Sequence, residues 1–191
     1  MQVEAEPPAD ASEVAERLAK ELNVRGYEYA LGGAIALSFW ANPRGTMDVD
    51  LTLFLSPEQP AEVVWQLSEI GCDVSATEAV ASLREHGFCR CQYASYRVDV
   101  FVPRIPFYEL ARQRRRNVLL GNERVMVWDA ETLSVFKMMF FRRKDIADVE
   151  QILRNQPALD RAWVREQLVD MYGARDARIA QWDELVNEVK A

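Results

Sequence analysis

The chain has one histidine in 191 residues, and His86 has no catalytic partner nearby in sequence. Standing beside Gly87, it reads as a loop residue rather than a proton-transfer group. Cysteine is nearly as scarce. Cys72, Cys89 and Cys91 form an odd set with no second metal-type pair, so they read as reduced, buried thiols and not as a zinc site. No apolar run approaches the ~20 residues needed to span a bilayer. The opening Met1-Gln2-Val3-Glu4-Ala5-Glu6 lacks the basic start and apolar core of a signal peptide, so a cytoplasmic location with no membrane contact is expected. Internal repeats and low-complexity tracts are absent. Positive charge is in deficit, 23 Lys and Arg against 30 Asp and Glu for a net charge of −7. That balance argues against a protein that coats nucleic acid, because such binding rests on neutralised phosphates. A local exception is the run Arg112, Arg114, Arg115 and Arg116 behind a short helix at Pro106-Phe107-Tyr108-Glu109-Leu110. It is either a solvated helix end or a contact for an RNA or nucleotide phosphate.

What is present is a hydrophobic fraction of 49% with five tryptophans, enough for one domain or a small domain with an appended helical unit. The most informative stretch runs from Leu31-Gly32-Gly33, through a helix-length segment, to Asp48-Val49-Asp50-Leu51-Thr52-Leu53-Phe54. In a strand, Asp48 and Asp50 emerge on one face, roughly 7 Å apart at ~3.3 Å per residue. Two such carboxylates repel unless a cation lies between them, and hard divalent ions take oxygen ligands together with substrate phosphates. An ordinary half-solvated strand would stay polar on that face, whereas Thr52 and Phe54 follow the acids. A third acid, Asp99, interrupts the apolar strand Tyr96-Arg97-Val98-Asp99-Val100-Phe101-Val102. A buried carboxylate calls for a cation, a hydrogen-bond network or a raised pKa. If the two strands are neighbours, the three acids form one cluster.

The order of elements follows from periodicity and punctuation. A polar leader through residue 10, expected to be disordered, precedes a helix over about Glu13 to Leu22, capped by Asp10 or Ser12, with Val14, Leu18 and Leu22 inward. A strand over Tyr27 to Leu31 meets Gly32 and Gly33, which open a helix from about Ala34 to Trp40. Backbone N–H groups at that helix start would suit an anion, and glycine permits its close approach. Helices over Ser56 to Ile70 and Glu78 to Arg84, a strand over Phe88 to Tyr93, and a hairpin about Gly121-Asn122 follow. From Ala130 the chain reads as helical. The expected organisation is an α/β (α+β) core with a mixed sheet over residues 1–128 and a C-terminal helical bundle over 129–191.

Three motifs in this order carry a resemblance: hydrophobic-Gly-Gly at Leu31-Gly32-Gly33, acid-hydrophobic-acid at Asp48-Val49-Asp50, and hydrophobic-acid-hydrophobic at Val98-Asp99-Val100. Over roughly residues 27 to 102 the chain resembles the DNA polymerase beta-like nucleotidyltransferase superfamily. Arg44 and Thr46 ahead of the acids, with Lys137 and Arg143-Lys144-Asp145 in the tail, are similar to the AbiEii-type toxins and minimal nucleotidyltransferases. Pro43 in the loop before the acids departs from that pattern. The resemblance implies an Mg²⁺-dependent transfer of an NMP from a nucleoside triphosphate to an acceptor hydroxyl, with a two-ion site that Mn²⁺ could also fill. Asp48, Asp50 and Asp99 are the implied metal ligands and catalytic residues, with Asp99 also the candidate general base. Gly32, Gly33, Arg44, Thr46 and Lys137 are the implied nucleotide contacts. The acceptor stays open between tRNA or another RNA, a protein and a small molecule such as an aminoglycoside. A toxin role would bring an antitoxin partner. The alternative is a non-catalytic nucleotide-binding or interaction module of the same fold.

Lys137 is informative on its own. It shares a stripe with Leu133, Phe136, Phe140 and Phe141, where an ammonium must reach water or meet an anion. Asp145 and Asp148 share a helix face at i, i+3. They read as helix-start acids, with Lys144 paired to Asp148, or as support for the cleft.

Overall fold

The computed structural model describes residues 7–190; the first six residues of the expected leader and Ala191 lie outside them. The remaining leader residues are tied to the fold, although Pro7, Ala9 and Asp10 stay exposed. Pro8 is buried, Tyr96 Oη donates to the Ala9 carbonyl at 2.9 Å, and the Asp10 carboxylate caps the first helix by accepting from Glu13 N at 2.9 Å.

That helix, α1 (Ala11–Val24), leads into β1 (Tyr29–Leu31), α2 (Gly33–Trp40) and β2 (Asp48–Leu53). Then come α3 (Pro60–Glu69), α4 (Ala76–His86), β3 (Phe88–Tyr93), β4 (Tyr96–Phe101) and α5 (Phe107–Arg114). A hairpin of β5 (Arg116–Leu120) and β6 (Glu123–Val127) precedes four helices, α6 (Ala130–Phe140), α7 (Arg143–Asn155), α8 (Arg161–Tyr172) and α9 (Ala177–Lys190). The six strands lie in the order β3-β4-β2-β1-β6-β5. β2 runs parallel to β4 and β1 parallel to β6; the other pairs are antiparallel. This is the mixed α/β sheet flanked by helices that the sequence predicts.

Side-chain alternation decides what the sheet does. Val49, Leu51 and Leu53 on β2, and Val98 and Val100 on β4, point into the core. Asp48 and Asp50, with Arg97, Asp99 and Phe101, therefore point to the opposite face. Burying each of those apolar side chains stabilises the fold by about 1.5–3 kcal/mol, and a one-residue slip would exchange the two faces. The parallel register sets Asp50 directly beside Asp99. A single hydrophobic cluster runs from Ala11 on α1 to Leu185 on α9.

Several boundaries differ from expectation for visible reasons. His86 is the last residue of α4 and not a loop residue, because Gly87 adopts a φ of 66° and ends the helix one position later. α3 starts at Pro60 rather than near Ser56, since a turn closed by Gln59 N to the Ser56 carbonyl at 3.1 Å comes first. The expected pairing of Lys144 with Asp148 is not formed; Asp148 is turned inward to Lys137 and Arg44. Three arginines of the run are ion-paired, and Arg116 at the start of β5 is exposed. Arg112 and Arg115 engage Glu28, and Arg114 reaches Asp129 at 2.8 Å while lying over the Trp163 ring at 4.1 Å. The three cysteines are buried and unpaired, as expected.

Candidate active site

A cleft of about 290 Å³ opens over the carboxylate face of β2 and β4 and is closed on its other side by α6 and the start of α7. Its floor is built by the glycine turn. Gly32 N donates to the Asp50 carbonyl at 2.8 Å, tying the end of β1 to β2. Gly33 has a φ of 53°, and a Cβ placed there would fall 1.7 Å from Asp50 Oδ2. Glycine is thus required twice at this position, for the left-handed backbone and for the carboxylate lying over it. The Gly32 N-cap has no side chain, so the first amides of α2 are uncapped beside the acids.

The three acids are treated unequally. Thr46 Oγ1 donates to Asp48 Oδ1 at 2.6 Å, and Arg97 Nη2 pairs with Oδ2. The Thr46 hydrogen bond, working against burial and helped by Arg97, holds the Asp48 carboxyl below its usual range. Asp99 accepts from Arg90 Nε at 2.8 Å, with Arg97 Nε at 3.4 Å. The Asp50 carboxylate accepts no hydrogen bond among the described residues. Burial, then the charges of Asp99 and Asp48, push its carboxyl up to about 6. An anion held at that cost beside two others is what a bound cation would relieve, so the donor set fits a hard divalent ion. With Arg90 and Arg97 in place, no group of three acidic, histidine or cysteine side chains among the described residues is already drawn together as a metal cage.

The implied nucleotide contacts separate into two sets. Gly32, Gly33 and Thr46 sit with the acids. Lys137 and Arg44 also line the cleft, yet both are committed to Asp148, with Lys137 Nζ at 2.6 Å and a bidentate Arg44 pair at 2.9 Å. Burial works to raise the Asp148 carboxyl, and the hydrogen bonds from Arg44 and Lys137 outweigh it, so it is held below its usual range. Lys137 therefore meets its anion inside the protein. Asp145 lines the cleft and accepts from Arg142 Nε at 2.6 Å, while Asp148 lies behind Lys137 and Arg44.

Of the other groups at the cleft, Arg97, Arg90 and Tyr108 carry no role in the sequence-based expectations, and Lys144 only that of an Asp148 partner and part of the tail motif. Arg97 lies two residues from Asp99, hence on its face, where period-two alternation would have found it; Arg90 alternates with the buried Cys89 and Cys91 and is set opposite Asp99 by the antiparallel pairing of β3 with β4. Lys144 is exposed at the start of α7 and makes no ion pair among the described residues. The Tyr108 hydroxyl, with its pKa pushed up to about 12 by burial, lines the apolar end with Phe136 and Trp128; its place on α5 carried no sequence signal.

This architecture is shared with solved structures of an antibiotic-resistance factor. The chain superposes on the solution structure of the antibiotic-resistance factor ANT(2'')-Ia with a TM-score of 0.61 at 13% identity, over 85% of this chain and 93% of that one. A crystal structure of ANT(2'')-Ia in complex with adenylyl-2''-tobramycin gives a TM-score of 0.58 at 12% identity, over 84% of this chain and 98% of that one. At these identities the likeness shows the fold alone, a mixed sheet flanked by helices. No family model matches the sequence, and no curated protein matches it.

Proposed function

We propose that this protein is a nucleotidyltransferase that moves an NMP from a nucleoside triphosphate to an acceptor hydroxyl with release of pyrophosphate. The carrying observation is the parallel register that sets Asp50 beside Asp99, with Asp48 on the same face and Gly33 beneath the Asp50 carboxylate. The fold shared with ANT(2'')-Ia, crystallised with an adenylylated tobramycin, supports the same class of reaction. Asp48 and Asp50, with Asp99, would hold Mg²⁺, which when bound supplies neutralisation of the triphosphate and acidifies the acceptor hydroxyl.

The chain's own groups do the rest. The uncapped amides of α2 and the exposed Lys144 bind phosphate oxygens. Thr46 fixes the rotamer of Asp48, and Arg44 ties the loop before β2 to α7 through Asp148. Asp99 takes the acceptor proton as the acceptor oxygen bonds to the α-phosphorus and the bond from that phosphorus to pyrophosphate breaks. Catalysis of this kind rests on positioning and charge neutralisation.

The AbiEii-type reading, with a toxin role and an antitoxin partner, draws support from Lys137 on α6 and Lys144 on α7 facing one cleft. The non-catalytic module is favoured by one observation, the guanidinium of Arg97 seated on Asp48. The experiment that decides between transfer and mere binding follows α-phosphate label from each of the four triphosphates, with Mg²⁺, into the RNA, protein and small-molecule fractions of a cell extract. Label in one fraction, absent with the Asp48→Ala, Asp50→Ala double variant, supports transfer; binding of triphosphate without label supports the module.

A further inference from the structure

The acceptor can be narrowed by asking what the cleft becomes once a metal and a triphosphate occupy the acids, an inference that rests on the function proposed above. Six cations line the cleft, Arg44, Arg90, Arg97, Lys137, Arg142 and Lys144, against the four acids Asp48, Asp50, Asp99 and Asp145. Arg44 and Lys137 remain bound to Asp148, and Arg142 to Asp145. Arg90 and Arg97 are different, because their partners are the acids themselves. When Asp48 and Asp99 turn to a metal, both guanidiniums are released at the mouth of the cleft, where they are already 55% and 44% exposed.

Sheet order says on which side this happens. The glycine turn and the amides of α2 lie at β1, on one flank of β2, whereas Asp99 and Arg97 on β4 and Arg90 on the edge strand β3 lie on the other. The triphosphate end and the acceptor end are therefore on opposite flanks of the acidic pair. The acceptor flank carries aromatic rings next to its cations. Phe140 is 49% exposed at the mouth of the cleft, packs against Phe101 at 6.0 Å, and lies under the Arg142 guanidinium at 4.9 Å. Phe101 in turn packs on Phe88, over which Arg90 sits at 5.8 Å.

We propose that the acceptor is a nucleotide-bearing hydroxyl whose base stacks on Phe140 and whose phosphate is met by Arg90 and Arg97. An exposed ring with one guanidinium on it and two more on the adjoining strands is a platform on which unstacked bases and backbone phosphates are bound together. A polycationic aminosugar is disfavoured in the same place, since with a metal on Asp48, Asp50 and Asp99 and Arg142 on Asp145 every acid of the cleft is engaged and the free charges are positive. The step balances as before: the acceptor oxygen bonds to the α-phosphorus, pyrophosphate leaves with the electrons of the broken bond, and the acceptor proton passes to Asp99.

The test supplies α-labelled triphosphate and Mg²⁺ with four acceptors: a short single-stranded oligoribonucleotide, the same strand lacking its 3′ hydroxyl, a nucleoside monophosphate, and tobramycin. Label is expected on the oligoribonucleotide and not on the blocked strand or tobramycin; label on the monophosphate alone also supports the proposal and names a free nucleotide as the source. Phe140→Ala and Arg90→Ala are each expected to raise the oligonucleotide KM about tenfold with a smaller change in kcat. Tobramycin labelled as fast as either nucleotide acceptor, or an unchanged KM in both variants, overturns the proposal. So does the absence of label on all four acceptors while Mg²⁺-dependent triphosphate binding persists. Loss of that binding in the unmodified protein instead overturns the nucleotidyltransferase reading on which the inference rests.

Discussion

Two charged clusters face the same cleft, and they differ in how completely their charges are answered. Around Asp148, Lys137 and Arg44 deliver three hydrogen bonds of 2.6 to 2.9 Å to one carboxylate that is almost wholly buried. Around Asp50, two neighbouring acids borrow guanidiniums from strand neighbours, and Asp50 itself goes without. The first cluster is a closed brace that ties the loop before β2 to α6 and α7. The second leaves one buried carboxylate without a partner. A buried ion pair is weak evidence of net stabilisation, but removing one partner from it is costly; an unanswered carboxylate is costly as it stands.

The contrast can be broken most severely at the brace. Asp148→Ala leaves Lys137 and Arg44 without their anion and is expected to cost about 3–5 kcal/mol in chemical denaturation. A loss well under 1 kcal/mol would show that the brace is not closed. Gly33→Ala should follow at about 2 kcal/mol, from the left-handed backbone and from displacement of the Asp50 carboxylate, and should also remove triphosphate binding by calorimetry.

Asp50→Asn is expected to act in the opposite direction, stabilising the metal-free protein by on the order of 1–3 kcal/mol at pH 8. The sign follows from the carboxyl being held at about 6, above its ordinary 3.8, so that the native state keeps its proton longer than the unfolded chain. Stability contributed there is present at low pH and is lost as pH rises from about 4 to 6. Asp148, held below its ordinary value, does the reverse: its contribution is present above that value and is lost as pH falls through the depressed one. Denaturation midpoints across pH 3 to 8 for the parent and the two variants separate these opposite slopes. The smallest effect is expected at the exposed pair of Arg165 with Asp183, where Arg165→Ala should change stability by less than about 1 kcal/mol.

Much of this arrangement is legible in the sequence because it is written in period two. Asp48 and Asp50 alternate with Val49 and Leu51, and Asp99 sits between Val98 and Val100, so the acids had to share the face opposite the core. The glycine pair marks the turn, although only the coordinates reveal that Asp50 lies over Gly33. Lys137 within an apolar stripe signals an ammonium that reaches water or meets an anion, and the structure shows the anion. Its identity was not readable, because Asp148 is eleven residues away on another helix and is brought there by tertiary packing. The same limit hides the fate of the arginine run, whose partners Glu28 and Asp129 come from distant segments. Arg97 is legible as a cation on the face of Asp99 from its place two residues away, whereas Arg90 comes to that face through the antiparallel pairing that sets it opposite Asp99.

We propose that the open acids, and not the lysine brace, form the nucleotide and metal site. This is tested most directly by the thermal midpoint of the protein with α,β-methylene nucleoside triphosphates, with and without Mg²⁺, in the parent and in the Asp50→Asn and Lys137→Met variants. The account predicts, for at least one base, a rise of on the order of 5 °C in the parent near a hundredfold excess over Kd. That rise should require Mg²⁺, vanish in Asp50→Asn and persist in Lys137→Met measured against its own lower baseline. A rise that survives without Mg²⁺ and in Asp50→Asn, but is lost in Lys137→Met, would contradict it.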